Sequence, residues 1–127
     1  MSENYASAAA RHFEDAADLR GAGRTDNAGH LIGFAAECAI KHNISSLRLG
    51  KASPHGHFPE ILIAARKHLG PRAGYTQMFN LLRADTFRGW DISSRYMSTG
   101  HTNIVDLETW FQTTKRLFAA AGLKVRK

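Results

Sequence analysis

The chain has 127 residues, 43% of them hydrophobic, and 17 Lys and Arg against 11 Asp and Glu give a net charge of +6. That length suits one domain, residues 1–127, and leaves little room for a second core. No apolar run approaches the ~18 residues that span a bilayer, the first residues lack the basic-then-apolar order of a secretory signal, and the one cysteine, Cys38, has no second thiol to pair with. A cytoplasmic chain with a reduced thiol and no membrane partner is the expectation. The positive balance favours anionic partners, RNA or a nucleotide among them, and is equally compatible with an ordinary solvated surface.

The first helix is expected from about Asn4 to Arg20, with alanines, Tyr5, Phe13 and Leu19 inside and Glu14, Asp15 and Asp18 outside; Gly21 and Gly23 stop it. Thr25 or Asp26 can cap a second helix that runs to about His42 or Ile44. Gly29 and Gly33 lie four apart on one side of it, which predicts the close approach of a neighbouring backbone. Residues Ser45 to Phe58 read as a Gly- and Pro-punctuated connection. Pro59 suits the first position of a third helix ending near Gly70, and Pro71 to Arg83 reads as a weaker one, broken by Gly74. Asp85 to Thr99 has no clean period. Asn103 caps a last helix that ends near Gly122, with Val105, Leu107, Trp110, Phe111, Leu117 and Phe118 as its apolar face. No segment alternates with period two, so strands are not expected. The predicted class is all-α, an up-and-down bundle of four or five helices.

Two stretches carry chemistry. In NAGHLIGFAAECAIKH, Asn27 to His42, the acid Glu37 is embedded in apolar residues. A buried carboxylate is costly unless a cation or hydrogen-bond donors meet it. Arg95 is the expected long-range partner, and Lys41, one turn away, the local one. In WDISSRYMSTGH, Trp90 to His101, a guanidinium and an imidazole lie six positions apart. An imidazole that takes a 2′-hydroxyl proton, beside an arginine that steadies the growing phosphate charge, is sufficient for metal-free RNA cleavage. Free amides at the start of the last helix, with Thr102 and Asn103, are candidates to receive a phosphate oxygen, and Lys41 and Tyr96 are further candidate RNA contacts. The opposing reading makes Arg95 a structural ion pair and His101 a loop residue.

The other histidines show no paired ligand spacing beyond Cys38 and His42, so no metal or cofactor is expected. Cys38 reads as a buried packing residue. His57 is expected to orient its loop against the third helix or to approach a dimer cleft. Trp110, Phe111 and Phe118 mean core or dimer interface. Arg83, Arg88, Lys115, Arg116 and the tail lysines form either a phosphate-tracking surface or a solvated face.

The pattern GRTDNAGHLIGFAAECAIKH, then GHFPEI, then WDISSRYMSTGH, resembles the HEPN domains of prokaryotes from about Arg11 to the final helix. The Ala-Ala-Glu-Cys helix is its more specific part, and Arg95 with His101 matches the family's loose motif of an arginine followed at a short gap by a histidine. The resemblance implies a HEPN-like bundle, commonly a homodimer, whose Arg and His line a shared cleft and cut RNA without metal, with Glu37 supporting the pair. It also implies a toxin or anti-phage defence setting with a separate antitoxin or partner protein. The alternative within the family is a non-catalytic module that binds RNA, a nucleotide or a protein. Tyr96 stands where active members often carry a small polar residue, and Gly100 before His101 interrupts a continuous helical motif.

Overall fold

The protein is described by a computed structural model covering residues 4–45, 56–58, 60–70, 74–83 and 85–124, less the side chains of Ser94 and Arg95. Pro59 and the tail 125–127, which the sequence reading used, lie outside the described residues. The described residues are all-helical and contain no strand. In chain order they form α1 (Tyr5–Gly21), α2 (Thr25–Ser45), α3 (Glu60–Leu69), α4 (Thr76–Leu81), a 3-10 turn (Ile92–Tyr96) and α5 (Ile104–Ala120). No described helix is long and apolar enough to cross a membrane.

Local chemistry sets the helix ends. The Asn4 side chain accepts from the Ser7 amide at 2.9 Å and caps α1. After the bend at Ala22–Arg24, where Gly23 has φ +78°, the Arg24 carbonyl accepts from Ala28 N–H and opens α2. The His57 carbonyl plays the same part for α3, accepting from Ile61 N–H at 2.9 Å. Asn103 caps α5 as expected, its side-chain oxygen accepting from the Val105 and Asp106 amides at 2.7 and 3.3 Å. The Asn4 and Asn103 side-chain bonds satisfy donors that a helix itself cannot, and the Arg24 and His57 carbonyls take the first backbone bond of their helices.

The core lies between α1, α2 and α5. Ala9, Ala16, Ala28, Ala35, Ala36 and Ala39 are fully buried, small side chains that let α1 and α2 pack closely. Phe13 of α1 fills the space opposite α5, edge-on to Phe111 with centroids 5.7 Å apart and tilted on Phe118 at 5.2 Å. Buried residues of α5 recur as Leu107, Trp110, Phe111, Thr114, Leu117 and Phe118, the stripe of an amphipathic helix. Thr114 satisfies its buried hydroxyl by donating to the Trp110 carbonyl at 2.7 Å. Helices α3 and α4 close one side through Ile61, Leu62, Ala65, Leu69 and Met78.

The glycine pair on α2 admits rings, where the sequence reading looked for a backbone. A Cβ at Gly33 would stand 2.0 Å from Trp90 Cε2 and 2.1 Å from its Nε1, and one at Gly29 would stand 3.0 Å from Trp110 Cζ3. The indole of Trp90 lies in the slot over Gly33 and donates to the Gly29 carbonyl at 2.8 Å. Cys38 also departs from expectation: it is only half-buried, packed at the margin of the core.

Candidate functional site

One face of α2 collects the polar chemistry of the chain. Asp26, His30, Gly33, Glu37 and Lys41 recur at three- and four-residue steps, which aligns them along one side of a helix. Two segments meet that side: Gly56–Phe58 at the Glu37 end and residues 89–103 at the Asp26 end.

Glu37 is 2% exposed. Its Oε1 lies 2.8 Å from His57 Nδ1, and its Oε2 accepts from the Phe58 amide at 2.8 Å. Burial raises the carboxyl pKa above its ordinary 4.5; the bonds to His57 and Phe58 and the positive charge of Lys41 offset only part of that. The described partners of Glu37 therefore come from the connection into α3, where the sequence reading looked to Arg95. His57 does orient its loop against α3, by bonding to α2 while its carbonyl opens the next helix. The imidazole stays 45% exposed, so its Nε2 edge faces outward from a buried acid. Phe34 lies beside it at 6.0 Å between centroids, with His12 and His30 on its other sides at 5.7 and 4.5 Å.

At the other end, Asp26 does not act as a helix cap. Its carboxylate accepts from the Gly100 amide at 2.7 Å and the Thr102 amide at 3.0 Å, and Oδ1 lies 3.2 Å from His101 Nδ1. The Gly100 amide is the main cause of a carboxyl pKa below its usual value, with Thr102 and His101 adding to it. The same Nδ1 is 3.0 Å from the Ser98 carbonyl. A carbonyl can only accept, so Nδ1 carries the proton. In the neutral imidazole the lone pair is then on Nε2, which sits 3.2 Å from the Thr102 hydroxyl. This carboxylate–imidazole pair fixes a tautomer with a basic nitrogen away from the acid.

The candidate residues divide as follows. Glu37 and Asp26 are eleven positions apart on α2, about 16 Å along its axis, so Glu37 stands apart from the carboxylate that meets His101. Arg95 belongs to the 3-10 turn and His101 to the turn before α5; the motif does not lie on one helix, because Gly100 at φ +92° turns the chain between them. The side chain of Arg95 lies outside the described residues. Tyr96 is exposed at 78%, and Lys41 is half-buried beside Glu37. Three of the amides around the start of α5 are already taken. The Thr102 amide is taken by Asp26, and those of Val105 and Asp106 by the Asn103 side chain, since a capping oxygen on the chain itself meets them first. The sequence reading had Asp26 only as a possible cap and His57 only as a loop or cleft residue; the pairing of each with a group distant in the chain, His101 and Glu37, is visible only in the fold.

Among the described residues no group of three or more His, Cys, Asp and Glu is placed to hold a metal ion. Comparison of the chain with protein-family models, with curated proteins and with solved structures found no match.

Proposed function

We propose that this protein is a metal-independent endoribonuclease of HEPN type, with His101 as its base. The observation that carries this reading is the hold on His101 Nδ1 by Asp26 and the Ser98 carbonyl, which leaves Nε2 as the basic nitrogen, met only by the Thr102 hydroxyl among the described residues. In the reaction, Nε2 takes the proton of a ribose 2′-hydroxyl and the freed oxygen attacks the adjacent phosphorus. The bond from phosphorus to the 5′ oxygen breaks, and that oxygen takes a proton back from an imidazolium. The products are a 2′,3′-cyclic phosphate and a 5′-hydroxyl. Arg95, six residues before the base, is the cation assigned to the developing phosphate charge. Asp26 is a positioning residue, and Glu37 supports the site only indirectly, by anchoring the loop at His57 and Phe58.

The same reading includes a homodimer. Tyr96, Met97, Ile104 and Val105 are large, apolar or aromatic, and 57–78% exposed, and they flank the Arg95–His101 segment on both sides in sequence. A second copy covering them would bring two such segments together. A toxin or defence role, held in check by a separate inhibitory protein, belongs to the same reading, and growth arrest on expression that depends on His101 is its test.

The deciding experiment offers mixed RNA to the purified protein in EDTA. Cleavage leaving cyclic phosphate ends, reduced at least about a hundredfold in His101→Ala and lost in Arg95→Ala, supports the proposal; Asp26→Asn should lower kcat with KM little changed. Full activity in His101→Ala, or no cleavage by wild type, overturns it. Salt-sensitive RNA binding without turnover would instead identify a binding module.

A further inference from the structure

A second concavity opens between the turn at residues 85–89 and the outer side of α5. It is a cleft of about 520 Å³ bounded by Arg83, Arg88 and Arg116, with Thr109 and Thr113 on its α5 wall and Trp110 beneath, a size that accepts a ligand. Two other arginines of the fold are committed elsewhere. Arg20 pairs with Glu108 at 3.0 Å and lies over the Phe111 ring, and Arg66 donates to the Leu82 carbonyl and lies over Phe79. Among the described residues, Arg83, Arg88 and Arg116 make no ion pair, and all three are exposed. Asp85 and Asp106 also line the cleft, so three guanidiniums face two carboxylates and the charge is net positive.

The turn that presents these arginines is built rigidly. The Arg88 carbonyl accepts from the Trp110 indole at 3.1 Å, and the Arg88 amide donates to the Asp85 carbonyl at 3.0 Å. Thr86 ties the turn to the end of α4, accepting from the Arg83 amide and donating to the Leu81 carbonyl. Phe87 takes φ +60°, a left-handed conformation that costs a non-glycine residue of order 1 kcal/mol. It is held there between Phe58 and Trp110, stacked at 4.6 and 6.2 Å with interplanar angles of 4° and 9°. Strain of this kind persists only where the surroundings over-determine it, and here it aims Arg88 outward beside Arg83.

The cleft adjoins a crevice beside the base. A narrow crevice lined by His101, Thr102 and His30 shares Gly89, Asp106 and Trp110 with the arginine cleft. Gly89, at φ +87°, is one of the three residues common to both linings. We propose that the arginine cleft binds the phosphates of a single RNA strand whose reacting nucleotide lies at His101. This rests on the ribonuclease reading for its direction. A guanidinium forks onto phosphate oxygens, and spaced cations in a groove track a strand without reading its sequence.

The test is binding of a fluorescent oligouridylate, in EDTA, to the His101→Ala protein, which removes turnover from the measurement. Arg83→Gln, Arg88→Gln and Arg116→Gln should each weaken Kd about three- to tenfold and reduce the slope of log affinity on log salt by about 0.7. Lys67→Gln, on the exposed side of α3, should change neither. Competition with inorganic phosphate separates a strand site from a simple anion site: millimolar phosphate should displace the oligonucleotide only weakly, and displacement as effective as by unlabelled oligonucleotide overturns the strand assignment. If the three glutamine variants keep wild-type affinity and slope while remaining folded, the cleft is not the strand path, even where His101→Ala has abolished cleavage. If they lose affinity while the wild type never cuts RNA, the cleft stands and the nuclease reading falls.

Discussion

Alanine at position 33 should destabilise this protein far more than alanine at any other glycine of α2. The added methyl would stand 2.0–2.4 Å from three atoms of the Trp90 indole, well inside van der Waals contact, so ring or helix must move by more than about 1 Å. Overpacking of this kind costs about 1–3 kcal/mol. Displacing the ring also breaks the bond from Trp90 Nε1 to the Gly29 carbonyl, leaving a buried donor unmatched at about 1–3 kcal/mol, and disturbs the packing on His30, Phe34 and Phe58. Against this stands the better helix propensity of alanine, about 1 kcal/mol. The net loss is about 3 kcal/mol, near 10 °C in Tm at about 4 °C per kcal/mol for a chain of this size. Gly29→Ala meets its nearest atom only at 3.0 Å and Gly21→Ala meets nothing within 4 Å, so the first should cost little and the second should be neutral or stabilising. Urea unfolding followed by far-UV circular dichroism measures all three. Trp90→Phe removes the clashing atoms, and in that background Gly33→Ala should cost markedly less. A Gly33→Ala protein within about 1 kcal/mol of wild type, or strict additivity with Trp90→Phe, refutes the slot.

Glu37→Ala leaves the buried Phe58 amide without its acceptor and should cost about 2–4 kcal/mol in urea, whereas Glu37→Gln, which keeps an acceptor and removes a buried charge, should be nearly neutral; equal losses would mean that charge matters more than the hydrogen bonds. The two carboxylates also predict opposite pH trends. Glu37 has a raised pKa in the fold, so its contribution is fully present below 4.5 and declines as pH rises through the folded value; Glu37→Gln should flatten that decline. Asp26 has a lowered pKa, so its contribution is present above 3.8 and is lost as pH falls through the folded value; Asp26→Asn should remove that acid-side loss, and an unchanged profile would show that the Gly100 and Thr102 contacts do not hold in solution. Asn103→Ala deletes the cap of α5 and should cost about 1 kcal/mol, read as a shift in the urea midpoint without change in slope.

The helices were legible because their causes are local. The apolar spacing of α5, the Asn103 cap and the glycine after α1 all act within a few residues; the Asn4 cap is equally local, although the sequence reading placed Asn4 at the start of the helix itself. The Gly29 and Gly33 spacing announced a close neighbour on α2, although nothing in the chain named it as an indole 57 residues beyond Gly33. The acid in the second helix was recognisable as needing a partner, because burial of a carboxylate has the same cost in any fold. Its partner was not recognisable, because His57 and the Phe58 amide lie 20 and 21 positions further along the chain.

The same division holds for the candidate base. Residue types and spacing singled out His101, but its orientation depends on Asp26, 75 residues earlier, whose position at a helix start suggested a cap. A carboxylate there can serve its own helix or a neighbouring loop, and only the packing of residues 89–103 against α2 chose the loop. The arginine cleft likewise exists only because Trp110 and Phe58 hold Phe87 in a conformation that no local preference favours. Sequence therefore determined the elements and the cost of each buried group. Tertiary structure decided which distant group meets that cost, because contacts between residues far apart in the chain leave no period in it.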